Sequence, residues 1–384
     1  MNSHPPSSIL HPRRILIRGT NWLGDAVMTT PALLHLRETF PGAHIALLCP
    51  EKLRDLWAGH SAVNETISFG PEESIFAVGK KLRGGEFELA LVLPNSPRSA
   101  IETWLAEIPE RVGYARPWRN FFLTTRVAPR ADVVPQCGMH KRSTGEIKRL
   151  VAADVNRRTT HENRAFTSAA TAHQIHEYLH LVAAVGATPE LIAPQLFLTP
   201  KEIEAAKQKF GLDKIAQPVL GMNPGAEYGP AKRWPVERFI AAAREIQNRT
   251  HCVWLVFGVQ NDVPITNQIA TALHASRFTF HDLSGKTSLR ELMALLKLCR
   301  VLLTNDSGPM HVAAALGTPV VVPFGSTSPE LTGPGLPGDR RHRLLKSDAP
   351  CSPCFRRECP IDFRCMTGIP VEQVVAAVVE ALKG

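Results

Sequence analysis

Short apolar runs recur along the chain, each closed by a proline, a glycine or a polar turn, with helical periodicity between them. In the first half the runs are Arg14–Arg18, Ile45–Cys49 and Leu89–Leu93, stopped by Gly19, Pro50 and Pro94. Short runs that are apolar rather than alternating predict strands buried on both faces, as in a parallel sheet covered by helices. Between the first two runs, Thr30-Pro31 offers an N-cap followed by proline at the first helical position. A helix begun earlier, at Gly24, would be kinked by Pro31.

The second half repeats the rhythm. Strands are predicted at Val219–Met222, Val253–Phe257, Val301–Thr304 and Val320–Pro323, and helices at Val236–Arg249, Asp262–Ala275, Leu289–Leu298 and Met310–Leu316. Strand, helix, strand at this spacing implies right-handed crossovers and a mainly parallel sheet. A proline-punctuated stretch, 186–200, separates the halves. The expectation is an α/β chain of two Rossmann-like domains, residues 1–190 and 191–384, with parallel sheets facing a central cleft. The last helix, Val371–Leu382, is expected to pack back across that cleft onto the first domain. With 384 residues, 44% of them apolar, each half can bury a sheet of its own.

Charge changes the picture in one place. The net charge is +9, and Arg111–Arg164 carries twelve Lys/Arg against four Asp/Glu. So concentrated a basic segment implies an anionic partner or a solvated loop. Nucleic acid is disfavoured, because the segment has no helix-turn-helix, zinc-finger or RNA-recognition signature. No stretch reaches the roughly 18–20 apolar residues that cross a bilayer. Met1–Arg14 has no apolar core of a signal peptide, so a cytoplasmic location is expected.

Two elbows carry the candidate chemistry. In Asn223-Pro224-Gly225-Ala226-Glu227-Tyr228-Gly229-Pro230-Ala231-Lys232-Arg233, a strand ends in a Gly/Pro turn that presents two cations ahead of a helix. In Val301-Leu302-Leu303-Thr304-Asn305-Asp306-Ser307-Gly308-Pro309-Met310-His311, a second strand enters a second helix through a polar turn. Free amides, cations and a helix start suit a nucleotide diphosphate at the carboxyl ends of parallel strands. Gly19-Thr20-Asn21-Trp22-Leu23-Gly24 is not a G-x-G-x-x-G turn, which disfavours a dehydrogenase.

From Ile15 onward the sequence resembles glycosyltransferase family 9, the ADP-heptose:lipopolysaccharide heptosyltransferases. The resemblance rests on Asn21-Trp22-Leu23-Gly24-Asp25, on Pro224–Pro235 and on Thr304–Leu316. Pro309 departs from the apolar residue usual there, and the polar stretch 156–172 is longer than the family norm. The resemblance implies a GT-B fold, an ADP-heptose donor, inversion at the anomeric carbon and a lipopolysaccharide inner-core acceptor that already bears heptose on Kdo. It also implies peripheral contact with the inner membrane from its cytoplasmic side. A sibling adding the first or a later heptose, and a nucleotide-sugar epimerase of the same shape, are the alternatives.

Within that frame Asp25 is the expected base for the acceptor hydroxyl, with an N-terminal helix cap as its plain alternative. Lys232, with Arg233 beside it, is expected to meet the leaving diphosphate. Asp306 is expected at donor hydroxyls, Ser307, Gly308 and His311 at phosphate, Asp262 at the ribose and Thr287 at the adenine. A packed core histidine and a helix N-cap are the alternatives for His311 and Thr287. Arg142, Lys148 and Arg149 of the basic segment are assigned to the acceptor. No DxD-like acidic cluster adjoins the elbows, so no catalytic metal or other cofactor is expected. Cys351, Cys354, Cys359 and Cys365 cluster at x2, x4 and x5 spacings that suit a structural zinc, packed thiols or a redox pair.

Overall fold

A computed structural model of the chain describes residues 11–130, 143–155, 173–276 and 278–383. Arg142, Cys137 and the polar stretch 156–172 lie outside the described residues. The chain divides into two compact units: residues 1–133 with 174–197, and residues 134–173 with 198–384.

The first unit runs β1 (Arg14–Arg18), α1 (Leu23–Met28), α2 (Thr30–Thr39), β2 (His44–Pro50), β3 (Glu65–Phe69), α3 (Ile75–Arg83), β4 (Leu89–Val92), α4 (Pro97–Leu105), β5 (Glu110–Tyr114) and β6 (Thr125–Val127). Helix α5 (Thr144–Val155) falls with the second unit, and α6 (Ile175–Ala183) returns to the first. The strands are all parallel, in the order β3-β2-β1-β4-β5-β6. The strand order reverses between β1 and β4, so the turns after these two strands diverge and leave room for a ligand. Where a single kinked helix was one sequence option, the chain makes two: Thr29 separates α1 from α2, and Pro31 takes an early position in α2, where no intrahelical N–H is lost.

The second unit runs α7 (Pro200–Lys209), β7 (Val219–Asn223), α8 (Val236–Thr250), β8 (Val253–Val256), α9 (Val263–Ala275), β9 (Phe280–Asp282), α10 (Leu289–Leu298), β10 (Val301–Thr304), α11 (Gly308–Ala315), β11 (Val320–Phe324), α12 (Pro329–Thr332), β12 (Arg343–Lys346), α13 (Arg364–Thr367) and α14 (Val371–Ala381). Its sheet, also parallel, has the order β12-β11-β10-β7-β8-β9, the same topology as the first. Here the reversal lies between β7 and β10, the strands that feed the two elbows, and Thr304 pairs with Asn223 at their carboxyl ends.

Within the second unit, Val374, Val375 and Val378 of α14 are buried in the core that α8, β10 and β11 share. Residues 111–130 belong to the first unit, whereas α5 packs Ile147 and Val151 against Cys351 and Cys354 of the second.

Candidate active site

In the second unit the two elbows are laced together by asparagine side chains. Asn223 donates from Nδ2 to the Gly225 carbonyl at 3.3 Å, to Thr304 Oγ1 at 3.3 Å and to Ser307 Oγ at 3.2 Å. Asn305, fully buried, donates to the Pro224 carbonyl at 2.6 Å and accepts the Trp234 amide at 2.9 Å. Each buried amide thus satisfies backbone that the turn leaves unpaired, and the two loops move as one piece.

That piece aims charge at one place. Lys232 Nζ lies 2.6 Å from Asp306 Oδ2, with the lysine 13% and the aspartate 3% exposed. The Thr327 hydroxyl donates to the same oxygen at 2.6 Å. The ammonium also sits 4.9 Å from the centroid of the Tyr228 ring, whose hydroxyl donates to the Phe355 carbonyl at 2.7 Å. Ala231 donates its amide to the Arg357 carbonyl at 2.9 Å. The cysteine-bearing loop therefore backs the turn that carries Lys232.

Arg233 and Asp262 make a second, looser pair at 3.6 Å, and Asp262 accepts the Val259 amide at 3.2 Å. A β-carbon at Gly225 would collide with the Asp262 carboxylate, so the first elbow needs glycine there. His311 is buried one turn inside α11, and burial pushes its imidazole down to about 4 against an opposing pull from Asp306. It is neutral at pH 7, with one ring N–H to donate. Ser307 precedes α11 without capping it by its side chain; Pro309 has no N–H and the Met310 amide donates to the Ser307 carbonyl at 3.1 Å, so the Gly308 amide is what this helix start can offer an anion. Thr287 is not the cap of α10: Ser288 is, in a capping box with Glu291. The cap explanation for Thr287 therefore falls.

The first unit supplies a separate carboxylate. Asp25 is half-buried in the first turn of α1, whose N-cap is Trp22, so Asp25 is not the cap. Its Oδ1 accepts from Gln174 Nε2 at 3.3 Å, and Gln174 also donates to the Tyr178 hydroxyl at 2.8 Å. Burial, reinforced by the charge of Asp25, pushes the Tyr178 phenol well above its ordinary range. Beneath the Gly19–Trp22 turn the fully buried Arg18 spans Glu102 Oε2 at 2.8 Å, the Gly19 carbonyl at 2.6 Å and Asn21 Oδ1 at 3.0 Å. This ion pair fixes the turn that presents Asp25. Gln174, Tyr178, Asn305 and Thr327 were not singled out from sequence. Their partners lie 149, 81 and 21 positions away for Gln174, Asn305 and Thr327, so no local pattern marks them.

Lys148 and Arg149 stand on α5 in the second unit, both exposed. The four clustered cysteines are unpaired, and Cys351, Cys354 and Cys365 are buried. Burial pushes the Cys365 thiol up to about 12, with the other three thiols adding to the shift. Among the described residues no group of three or more His, Cys, Asp or Glu side chains is arranged to hold a metal ion.

Comparison with known proteins fits this geometry. The family model "Glycosyltransferase family 9 (heptosyltransferase)" matches residues 144–363. Lipopolysaccharide heptosyltransferase 2 of Salmonella typhimurium (strain LT2) is 30% identical over 328 residues, 84% of this chain and 85% of that protein. Its counterpart in Escherichia coli (strain K12) is 30% identical over 335 residues, covering 84% and 85%. The solved structure of E. coli ADP-heptose lps heptosyltransferase II superposes with a TM-score of 0.75 at 26% identity, covering 96% of this chain and 98% of that one. Two Rossmann-like units of GT-B type, with the elbows at a topological switch point, thus coincide with a family match over most of the chain, and the protein belongs to glycosyltransferase family 9, the heptosyltransferases.

Proposed function

We propose that the protein transfers L-glycero-D-manno-heptose from ADP-heptose to the heptosyl-Kdo inner core of lipopolysaccharide, adding the second heptose with inversion. The observation that carries the donor half is the buried Lys232–Asp306 pair at the β7/β10 switch point. The 30%-identical relatives named heptosyltransferase 2 favour the second position over its siblings. In this reading the Gly308 amide, the Ser307 hydroxyl and neutral His311 take the diphosphate, with Lys232 and Arg233 as cations. Asp306 accepts from donor hydroxyls, Asp262 from the ribose, and Thr287 lines the adenine. Asp25 accepts the proton of the acceptor hydroxyl as that oxygen attacks the anomeric carbon and the bond to the diphosphate breaks. Lys232 is a mobile point charge with three donors, so it can keep Asp306 while meeting charge that grows on the leaving group. In this reading no metal ion takes part, so chelators should leave the rate unchanged. Lys148, Arg149 and Arg142 attract the anionic acceptor.

The enzyme works in the cytoplasm as a peripheral protein of the inner membrane. No helix among the described residues is long and apolar enough to cross a bilayer. The test is mass spectrometry of products formed from acceptors carrying zero or one heptose, with ADP release followed in parallel. One heptose should be added to the mono-heptosyl acceptor only. Asp25→Ala should abolish turnover while ADP-heptose still binds; normal turnover by that variant would remove Asp25 as base.

A further inference from the structure

The loop Arg116–Phe122 of the first unit holds two aromatic rings in solvent at a cost the fold does not recover. Trp118 is 88% exposed and Phe121 78% exposed. Trp118 also adopts a left-handed backbone, φ 67°, which disfavours a bulky side chain. The loop is nevertheless built rigidly from beneath. Arg119, between the two rings in sequence, is fully buried and donates to the Pro94 carbonyl at 2.6 Å. The Arg116 amide donates to Asn120 Oδ1 at 2.8 Å, and Arg126 donates to the Asn120 carbonyl at 3.1 Å. Phe122 turns inward, meeting Val92, Ala100 and Leu123, and meets Trp104 edge-on at 5.5 Å. An inward-pinned loop that presents a tryptophan and a phenylalanine outward is a preformed apolar tip.

Charge identifies what the tip meets. Residues 111–130 contain five arginines and no acidic residue. With Arg119 buried, a second copy of the same surface would set the other four arginines against four, so self-association through it is opposed. Exposed aromatics ringed by arginine suit the interfacial zone of a bilayer with anionic headgroups, where amphipathic rings partition and cations gain from the surface potential. We propose that the Trp118–Phe121 loop is the membrane anchor of this enzyme, inserting both rings among the headgroups of an anionic bilayer while Arg116 and Arg126 lie on its surface. This extends the proposed function, whose acceptor is carried on a lipid.

The test uses the full chain with vesicles of phosphatidylcholine alone or mixed with phosphatidylglycerol. Co-sedimentation should require the anionic lipid and weaken with salt. Trp118→Ser/Phe121→Ser should lower vesicle affinity about tenfold or more, with the melting temperature of the parent retained. Arg126→Gln should lower it severalfold on anionic vesicles only. Sedimentation of the double variant at parent level, failure of the parent to bind anionic vesicles, or a parent dimer that the double variant abolishes would each overturn the proposal. Turnover of a deacylated, water-soluble heptosyl acceptor separates the two readings: the double variant should match the parent there. Loss of that turnover in the parent itself would refute the transferase reading and leave the vesicle result standing.

Discussion

Replacing Lys232 by methionine keeps the unbranched stem of the side chain and removes its terminal charge, and the surroundings of the ammonium set the penalty. In the resting protein Asp306, 3% exposed, keeps the Thr327 hydroxyl but loses the cation at 2.6 Å. Leaving one member of a buried pair uncompensated costs about 3–5 kcal/mol. Lys232 keeps some contact with water, so the lower end, about 3 kcal/mol, applies, which is roughly 6–12 °C of melting temperature for a unit of this size. In the reaction the loss falls on the departing diphosphate. Removing one electrostatic contact to developing charge lowers kcat by about 10²–10³. A second substitution separates the two effects: Lys232→Met/Asp306→Asn removes both charges and should regain most of the stability while turnover stays low. Thermal unfolding followed by circular dichroism gives the first quantity, and ADP release at saturating ADP-heptose the second. A single variant with kcat within about threefold of the parent would refute the assignment of Lys232 to the leaving group. An unchanged melting temperature would refute the energetic reading of the pair.

Gly225→Ala should push the Asp262 carboxylate out of its niche against the first elbow, raising KM for ADP-heptose while kcat falls less; equal donor affinity would show that Asp262 is not placed by that contact. Stability should fall between pH 6.5 and about 4. Burial holds His60, His311 and His342 each down to about 4, so below the ordinary histidine value the unfolded chain takes protons that the native state refuses. Each such group accounts for up to on the order of 3 kcal/mol across that window, and His311→Gln should flatten the slope of melting temperature against pH. A slope that His311→Gln leaves unaltered would contradict the burial argument. Lys148→Gln/Arg149→Gln should raise the KM of the acceptor and blunt its salt dependence, leaving the donor KM unchanged; an acceptor KM equal to the parent's would take α5 out of the mechanism.

The central strands were legible because each is an apolar run stopped by a turn residue: β1, β7 and β10 appear within a residue of their predicted ends. The edge strands were not. Glu65–Phe69 mixes a glutamate, a threonine and a serine into five positions, which suits a strand paired on one side and reads as loop. The two elbows were visible as glycine, proline and cations at strand ends. What holds them was hidden, since the Asn305 contact with the Pro224 carbonyl and the Asn223 contact with the Ser307 hydroxyl exist only because β7 pairs with β10. Asp25 could be placed at a helix start, but not its contact with Gln174, which returns to the first unit after an excursion into the second. The sheet that α14 covers was hidden for a related reason: an apolar face announces that something covers it, not which sheet does.

The support that residues 355–369 give the donor loop has a bearing on how the protein matures. Phe355 and Arg357 hold the turn bearing Lys232, Ile369 accepts from the Trp234 indole at 3.2 Å and from Arg238 at 2.6 Å, and α14 closes the same core. On the ribosome, therefore, strands β7 to β11 emerge with an unfinished hydrophobic face, and competence to recognise nucleotide arrives only when the final helix docks. Nascent chains halted before Ile369 should be sensitive to protease and blind to ADP, even though every residue assigned to the donor has already been synthesised.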